Sequence, residues 1–119
     1  MKGRILVVDD NLDVLQAMTL VLKPEGYVVI TATDGQAALD RLRQGLKPSL
    51  ILLDLMMPGM DGWQFMAELH QDASLTDIPV IIVSGGAYPA AEIDSLGAAG
   101  YLRKPFDVPT LYSMVEKYA

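Results

Sequence analysis

Cysteine is absent from the 119 residues, which excludes disulfides and thiolate metal sites. No apolar run approaches the ~18 residues that mark a membrane-spanning helix, so no span is expected. The start Met1-Lys2-Gly3-Arg4 has the basic character of a signal peptide, but the apolar stretch behind it is only four residues long and ends in two aspartates. It therefore reads as a strand. Basic residues are also few: 9 Lys and Arg stand against 15 Asp and Glu, giving a net charge of −6 with no basic block. Direct nucleic-acid binding, which needs clustered positive charge to neutralise phosphates, is not expected. The single histidine, His70, falls near the end of a predicted helix, where it reads as an exposed partner of the helix C-terminus with no catalytic task. Repeats, low-complexity tracts and linkers are missing as well. The expectation is one domain over residues 1–119, located in the cytoplasm.

What is present is a hydrophobic fraction of 51%, ample for one core, arranged as short apolar runs that alternate with segments of helical period. The runs predict strands over residues 4–8, 27–31, 49–54, 79–84 and 100–103. Between them, Asn11 reads as the cap of a helix carrying Leu12, Leu15, Met18 and Leu22. Asp34 reads as the cap of a second helix with Ala38, Leu39 and Leu42 inward and Gly45 as its stop. Trp63, Phe65, Met66 and Leu69 open a third helix after a loop rich in Pro and Gly. A weak fourth helix is expected over residues 89–96, and Val108, Leu111, Val115 and Tyr118 mark the last. Five strands alternating with five helices predict an α/β sandwich of three layers around a parallel sheet.

In such sheets ligands bind at the carboxyl ends of the strands. Asp9, Asp10, Asp54, Ser84 and Lys104 all stand at those ends. Any one of these aspartates alone reads equally well as a helix cap, and Asp34 stays one. Convergence at one sheet edge changes the reading for Asp9, Asp10 and Asp54. Like charges 4 Å apart repel by roughly 4 kcal/mol at an effective dielectric near 20, so three converging carboxylates call for a divalent cation and a lysine. Mg²⁺ takes one or two carboxylates and keeps several waters. Beside it Asp54 is a competent nucleophile towards phosphorus, Lys104 a mobile positive charge for a phosphoryl oxygen, and Ser84 a hydroxyl for another.

Three segments, Ile5-Leu6-Val7-Val8-Asp9-Asp10-Asn11, the run from Leu50 through Asp54 to Met56-Met57-Pro58-Gly59-Met60-Asp61-Gly62, and Tyr101-Leu102-Arg103-Lys104-Pro105-Phe106, resemble the receiver domain of bacterial two-component response regulators. The resemblance covers the whole chain. It implies a single flavodoxin-like domain with strand order 2-1-3-4-5. It also implies Asp54 as phosphoacceptor, Asp10 as direct Mg²⁺ ligand with Asp54, Asp9 helping through water, and the main-chain carbonyl of Met56 completing the protein ligands. Lys104 matches the phosphate-binding lysine, Ser84 the hydroxyl residue that moves onto the phosphate, and Tyr101 the aromatic that turns inward with it. A cis peptide between Lys104 and Pro105 is implied too. The expected function is a switch that accepts phosphate from a sensor histidine kinase or histidine phosphotransfer protein. It then changes the face formed by the fourth helix, fifth strand and fifth helix, where an output protein binds. The chain assists its own phosphorylation and slow self-dephosphorylation and is otherwise no enzyme.

The chain departs from the family in Gly85 and Gly86 after Ser84, in a segment from Ser84 to Lys104 shorter than usual, and in Ala98-Ala99-Gly100 where relatives carry acids that support a dimer. A monomer or weak dimer is therefore expected. Met56 and Gly86 cannot hydrogen-bond an attacking water, which predicts a long-lived phosphorylated state. Two other readings compete. One is a Mg²⁺-dependent phosphohydrolase using Asp54, for which Met56 stands where a second aspartate belongs. The other is a receiver-like interaction module that takes no phosphate. The sequence is equally consistent with a stand-alone regulator and with a receiver cut from a longer protein.

Overall fold

Strands that are apolar at every position need cover on both faces, and the chain supplies it by alternating strand and helix. The computed structural model describes residues 3–86 and 88–119. Met1 and Lys2, on which the signal-like start partly rests, lie outside the described residues. The order is β1 (Arg4–Val8), α1 (Leu12–Leu22), a 3₁₀ turn (Lys23–Glu25), β2 (Val28–Ala32), α2 (Gly35–Arg43), β3 (Leu50–Leu53), α3 (Gly62–Gln71), β4 (Val80–Ser84), α4 (Ala90–Ser95), β5 (Gly100–Arg103) and α5 (Val108–Tyr118). Among the described residues the five strands form one parallel sheet in the order β2-β1-β3-β4-β5.

Alternation along the strands divides the core. Ile5, Val7, Leu50, Leu52, Ile81 and Val83 pack against Leu15, Met18 and Leu22 of α1 and Leu111 and Val115 of α5. Leu6, Val8, Ile51, Leu53, Val80 and Ile82 face α2, α3 and Ile93 of α4. The helices begin at side-chain caps: Asn11 Oδ1 accepts from the N–H groups of Asp13 and Val14, Asp34 from Ala37, Asp61 from Gln64 and Asp107 from Thr110. Asp61 and Gln64 complete a reciprocal capping box. Gly45 takes φ 108° just past α2, the left-handed stop its position predicts.

Several expectations need correction. Leu12 is 68% exposed and Val108 39% exposed, because each occupies the first turn of its helix, beyond the end of the sheet that its neighbours cover. The second strand is displaced by one residue, and Tyr27 is instead buried ahead of it. The third strand ends at Leu53 and starts at Leu50, short of Ser49 and Asp54. Pro79, with no N–H to donate, is left out of β4, although its carbonyl still accepts from Ile51. The fourth helix, expected to be weak, is six residues long.

Candidate functional site

The chain leaves β1 towards the edge strand β2 and later returns to β3 on the other side of β1, so strand order reverses between β1 and β3. α1 lies on one face of the sheet there and α3 on the other. The carboxyl ends of these strands flank the crevice where α/β sheets bind ligands. Val8 pairs with Leu53 in register, and the Asp54 N–H donates to the Val8 carbonyl at 3.0 Å. Asp9 and Asp54 are thereby set side by side.

One carboxylate oxygen each from Asp9, Asp10 and Asp54 lies within 4.8 Å of the others. Asp9 and Asp54 are buried, and Asp10 is exposed. Asp9 is fixed from two sides: its Oδ1 accepts the Asn11 N–H at 2.9 Å and its Oδ2 accepts Lys104 Nζ at 2.9 Å. Lys104 Nζ also stands 3.9 Å from Asp54 Oδ2, while Asp54 Oδ1 accepts the Met56 N–H at 3.2 Å. Burial pushes the Asp54 carboxyl above its ordinary value. The Met56 amide and the Lys104 ammonium pull it down less strongly, and the charge of Asp9 adds to the rise. Three hard oxygen donors, two of them on rigid strand ends, form a donor set that suits a small divalent cation such as Mg²⁺.

Ser84, the last residue of β4, is fully buried, and its hydroxyl has no hydrogen-bond partner among the described residues. It lies near enough to Asp54 to favour the ionised carboxylate slightly, but outside bonding geometry. A buried hydroxyl left unpaired is unfavourable. Tyr101 is half-buried, and its hydroxyl donates to the Gly86 carbonyl at 2.8 Å, tying β5 to the loop after Ser84. The Lys104–Pro105 peptide is cis. Met56 extends its side chain outward, 63% exposed, at the rim of the cluster.

Of the seven residues expected at the site, Asp9, Asp10, Asp54, Met56, Ser84 and Lys104 come to this one edge, while Tyr101 sits within β5 and reaches the loop after Ser84 through its hydroxyl. His70 does not; it is exposed in the last turn of α3. Two contributors were not foreseen. The Asn11 amide also holds Asp9, a bond that reading Asn11 as a helix cap does not announce. Gly62 is required because a Cβ there would meet the Leu55 backbone at 2.6 Å, and the Gly62 N–H closes the loop by donating to the Leu55 carbonyl at 3.0 Å. A glycine directly after the capping Asp61 is the only sequence signal for that approach.

The family model described as "Response regulator receiver domain" matches residues 5–116. The chain is 36% identical over 115 residues to the protein PilH of Pseudomonas aeruginosa, covering 95% of this chain and 94% of PilH. It is 39% identical over 117 residues to the response regulator PleD of Caulobacter vibrioides, covering 97% of this chain but only 26% of PleD. Among solved structures it is similar to the response regulator protein TrrA of Thermotoga maritima, solved in complex with Mg²⁺ and BeF. The TM-score is 0.87 at 30% identity, covering 99% of this chain and all of TrrA.

Proposed function

The chain belongs to the response regulator receiver family, the phosphoacceptor switches of two-component signalling, and from that membership we propose that Asp54 takes the phosphoryl group in a Mg²⁺-dependent reaction. The observation that carries this reading is the placement of the buried Asp54 carboxylate between the acids of β1 and the ammonium of Lys104, 3.9 Å away.

Ionised Asp54 attacks phosphorus through one carboxylate oxygen. The new O–P bond forms as the N–P bond of a donor phosphohistidine, protonated on its other ring nitrogen, breaks with its electron pair staying on nitrogen, giving an acyl phosphate and a neutral imidazole. Asp10 and Asp54, with Asp9 through water and the Met56 carbonyl, are the groups that would hold Mg²⁺. The bound cation supplies neutralising charge for the phosphoryl oxygens. Lys104 is already tethered 2.9 Å from Asp9 and reaches an oxygen of the transferred group by shifting its Nζ while its backbone stays bonded to β4. The unpaired Ser84 hydroxyl gains a partner in a phosphoryl oxygen, which draws the β4–α4 loop towards the site.

Tyr101, bonded to that loop at Gly86, carries the change to the face of α4, β5 and α5, where an output protein binds. The phosphoryl group thus biases an existing equilibrium by a few kcal/mol of differential contacts. The whole of residues 1–119 acts as this one receiver domain. Its donor is a sensor histidine kinase or histidine phosphotransfer protein, it works in the cytoplasm, and it releases phosphate slowly on its own.

Intact-mass measurement after incubation with acetyl phosphate and Mg²⁺ tests the reading. One phosphoryl group is expected, lost in Asp54→Asn and without metal. A gain that persists in Asp54→Asn would move the acceptor elsewhere, and no gain with any donor would leave a receiver-like interaction module.

A further inference from the structure

α4 is too weak to hold its own place. It has six residues, whereas isolated helices shorter than ~12–15 residues are marginal in water. Its cap position is Pro89, which offers no side-chain hydrogen bond, and Ile93 is its one buried side chain. α3 touches the chain on both sides of it.

At the entry, Trp63 meets the ring of Tyr88 edge to face, with centroids 5.3 Å apart and planes at 75°. The Tyr88 ring in turn covers Gly86 so closely that a Cβ there would lie 2.5 Å from Tyr88 Cε2 and Cζ. The same glycine presents its carbonyl to Tyr101. At the exit, Gly97 takes φ 72°, and the His70 ring lies over it: a Cβ on Gly97 would stand 2.8 Å from His70 Cε1. Trp63 and His70 lie in the first and last turns of α3, so one helix touches the chain on both sides of α4.

We propose that Trp63 and His70 form a two-point seat on α3 that holds α4 and its preceding loop, and so sets the resting position of the switch. Trp63 keeps Tyr88 on Gly86. Tyr88 keeps the Gly86 carbonyl where the Tyr101 hydroxyl reaches it. Loosening the seat therefore releases the loop and Tyr101 from their resting arrangement and favours the phosphorylated-like state. This consequence rests on Asp54 being the phosphoacceptor; the seat itself does not.

The test compares the full chain with Trp63→Leu and His70→Ala. His70 is exposed, so its variant keeps the fold even if the loss of Trp63 proves severe. Hydrogen exchange of residues 88–97 is expected to quicken by about three- to tenfold in Trp63→Leu, the factor an edge-to-face ring pair contributes, while β1 and β3 stay protected. His70→Ala should quicken the amides near Gly97. The beryllofluoride concentration that half-saturates the Mg²⁺-loaded protein should fall by a similar factor in Trp63→Leu. Unchanged exchange in both variants, or wild-type exchange already at the rate of an unstructured peptide, would overturn the seat. Quickened exchange with an unmoved beryllofluoride midpoint would overturn its coupling to the switch. If the wild type takes no phosphoryl group from acetyl phosphate, the phosphoacceptor reading fails alone, and exchange still decides the seat.

Discussion

Lys104 Nζ bonds Asp9 Oδ2 at 2.9 Å and reaches Asp54 only at 3.9 Å, so the lysine is held by the neighbour of the nucleophile and not by the nucleophile itself. Asp9 is almost entirely buried, and Lys104 is its only ionic partner among the described residues. Lys104→Met leaves Asp9 Oδ2 without that bond in a cluster of like charge. The expected loss is about 1–3 kcal/mol at pH 7, read from urea midpoints. An unchanged midpoint would mean that Asp9 finds another partner. Phosphoryl gain should persist in this variant while the response of α4 and Tyr101 fades.

The buried carboxylate of Asp54 acts against folding. Burial holds the Asp54 carboxyl above the ordinary carboxylate value. A carboxyl raised in the folded state binds its proton more tightly there than in the unfolded chain. Its contribution is most favourable at low pH, and it is lost as pH rises from the unfolded value through the raised folded one. Asp54→Asn should therefore melt higher than wild type at pH 7, with the difference shrinking as the pH approaches 3.8. Mg²⁺ should raise the wild-type melting temperature and leave the variant much less affected. A variant that melts lower at neutral pH would contradict the burial argument.

Ser84→Ala removes a buried hydroxyl that has no partner among the described residues. Stability is expected to stay level or rise by up to about 1 kcal/mol, since no bond is lost. Function should move the other way: beryllofluoride with Mg²⁺ should no longer draw the loop or shift Tyr101, as read by its ring resonances. A drop of more than about 2 kcal/mol would show that the hydroxyl is paired in solution.

Met56 is exposed at the rim, and its side chain offers an attacking water no hydrogen bond. Met56→Asn should shorten the half-life of the phosphorylated chain by about tenfold, the size of one positioned hydrogen bond in a transition state. Met56→Leu should leave it unchanged. Gly86 is no clean partner for this experiment, because any side chain there strikes Tyr88.

Gly62→Ala would drive its Cβ into the Leu55 backbone at 2.6 Å, where neither atom can yield. The expected loss is about 1–3 kcal/mol, visible in a denaturant midpoint with unchanged slope. Because Leu55 links Asp54 to Met56, Mg²⁺ affinity should fall with it. Gly59→Ala, in open space but at φ 73°, should harm stability through the backbone alone.

Much of this was legible in the residues. Runs such as Leu50 to Leu53 and Val80 to Val83 announce central strands, and polar residues that end them announce the edge where chemistry sits. Helix ends were readable at Asn11, Asp34 and Gly45, whereas Asp61 and Asp107, caps of the same chemistry, were not read as such. What escaped depends on three-dimensional proximity. Leu12 fits the apolar period of α1 but lies past the edge of the sheet, and period alone carries no information about where cover stops. Nothing in the chain announces that Tyr88 lies on Gly86 or that Lys104 prefers Asp9 to Asp54. Those choices follow from packing between segments far apart in sequence.

The sheet also separates two hydrophobic layers that, among the described residues, share no side chains, one completed by α1 and α5 and the other by α2, α3 and α4. Substitutions in different layers have no common partners, so their effects on stability should add. A change such as Leu15→Val under α1 then needs no compensation from Leu39 under α2. The two sides can drift at separate rates, and the surface carried on α2 and α3 is open to revision without retuning the opposite one. Only the strand ends at the carboxylate cluster, where both layers meet the same few residues, tie the two histories together.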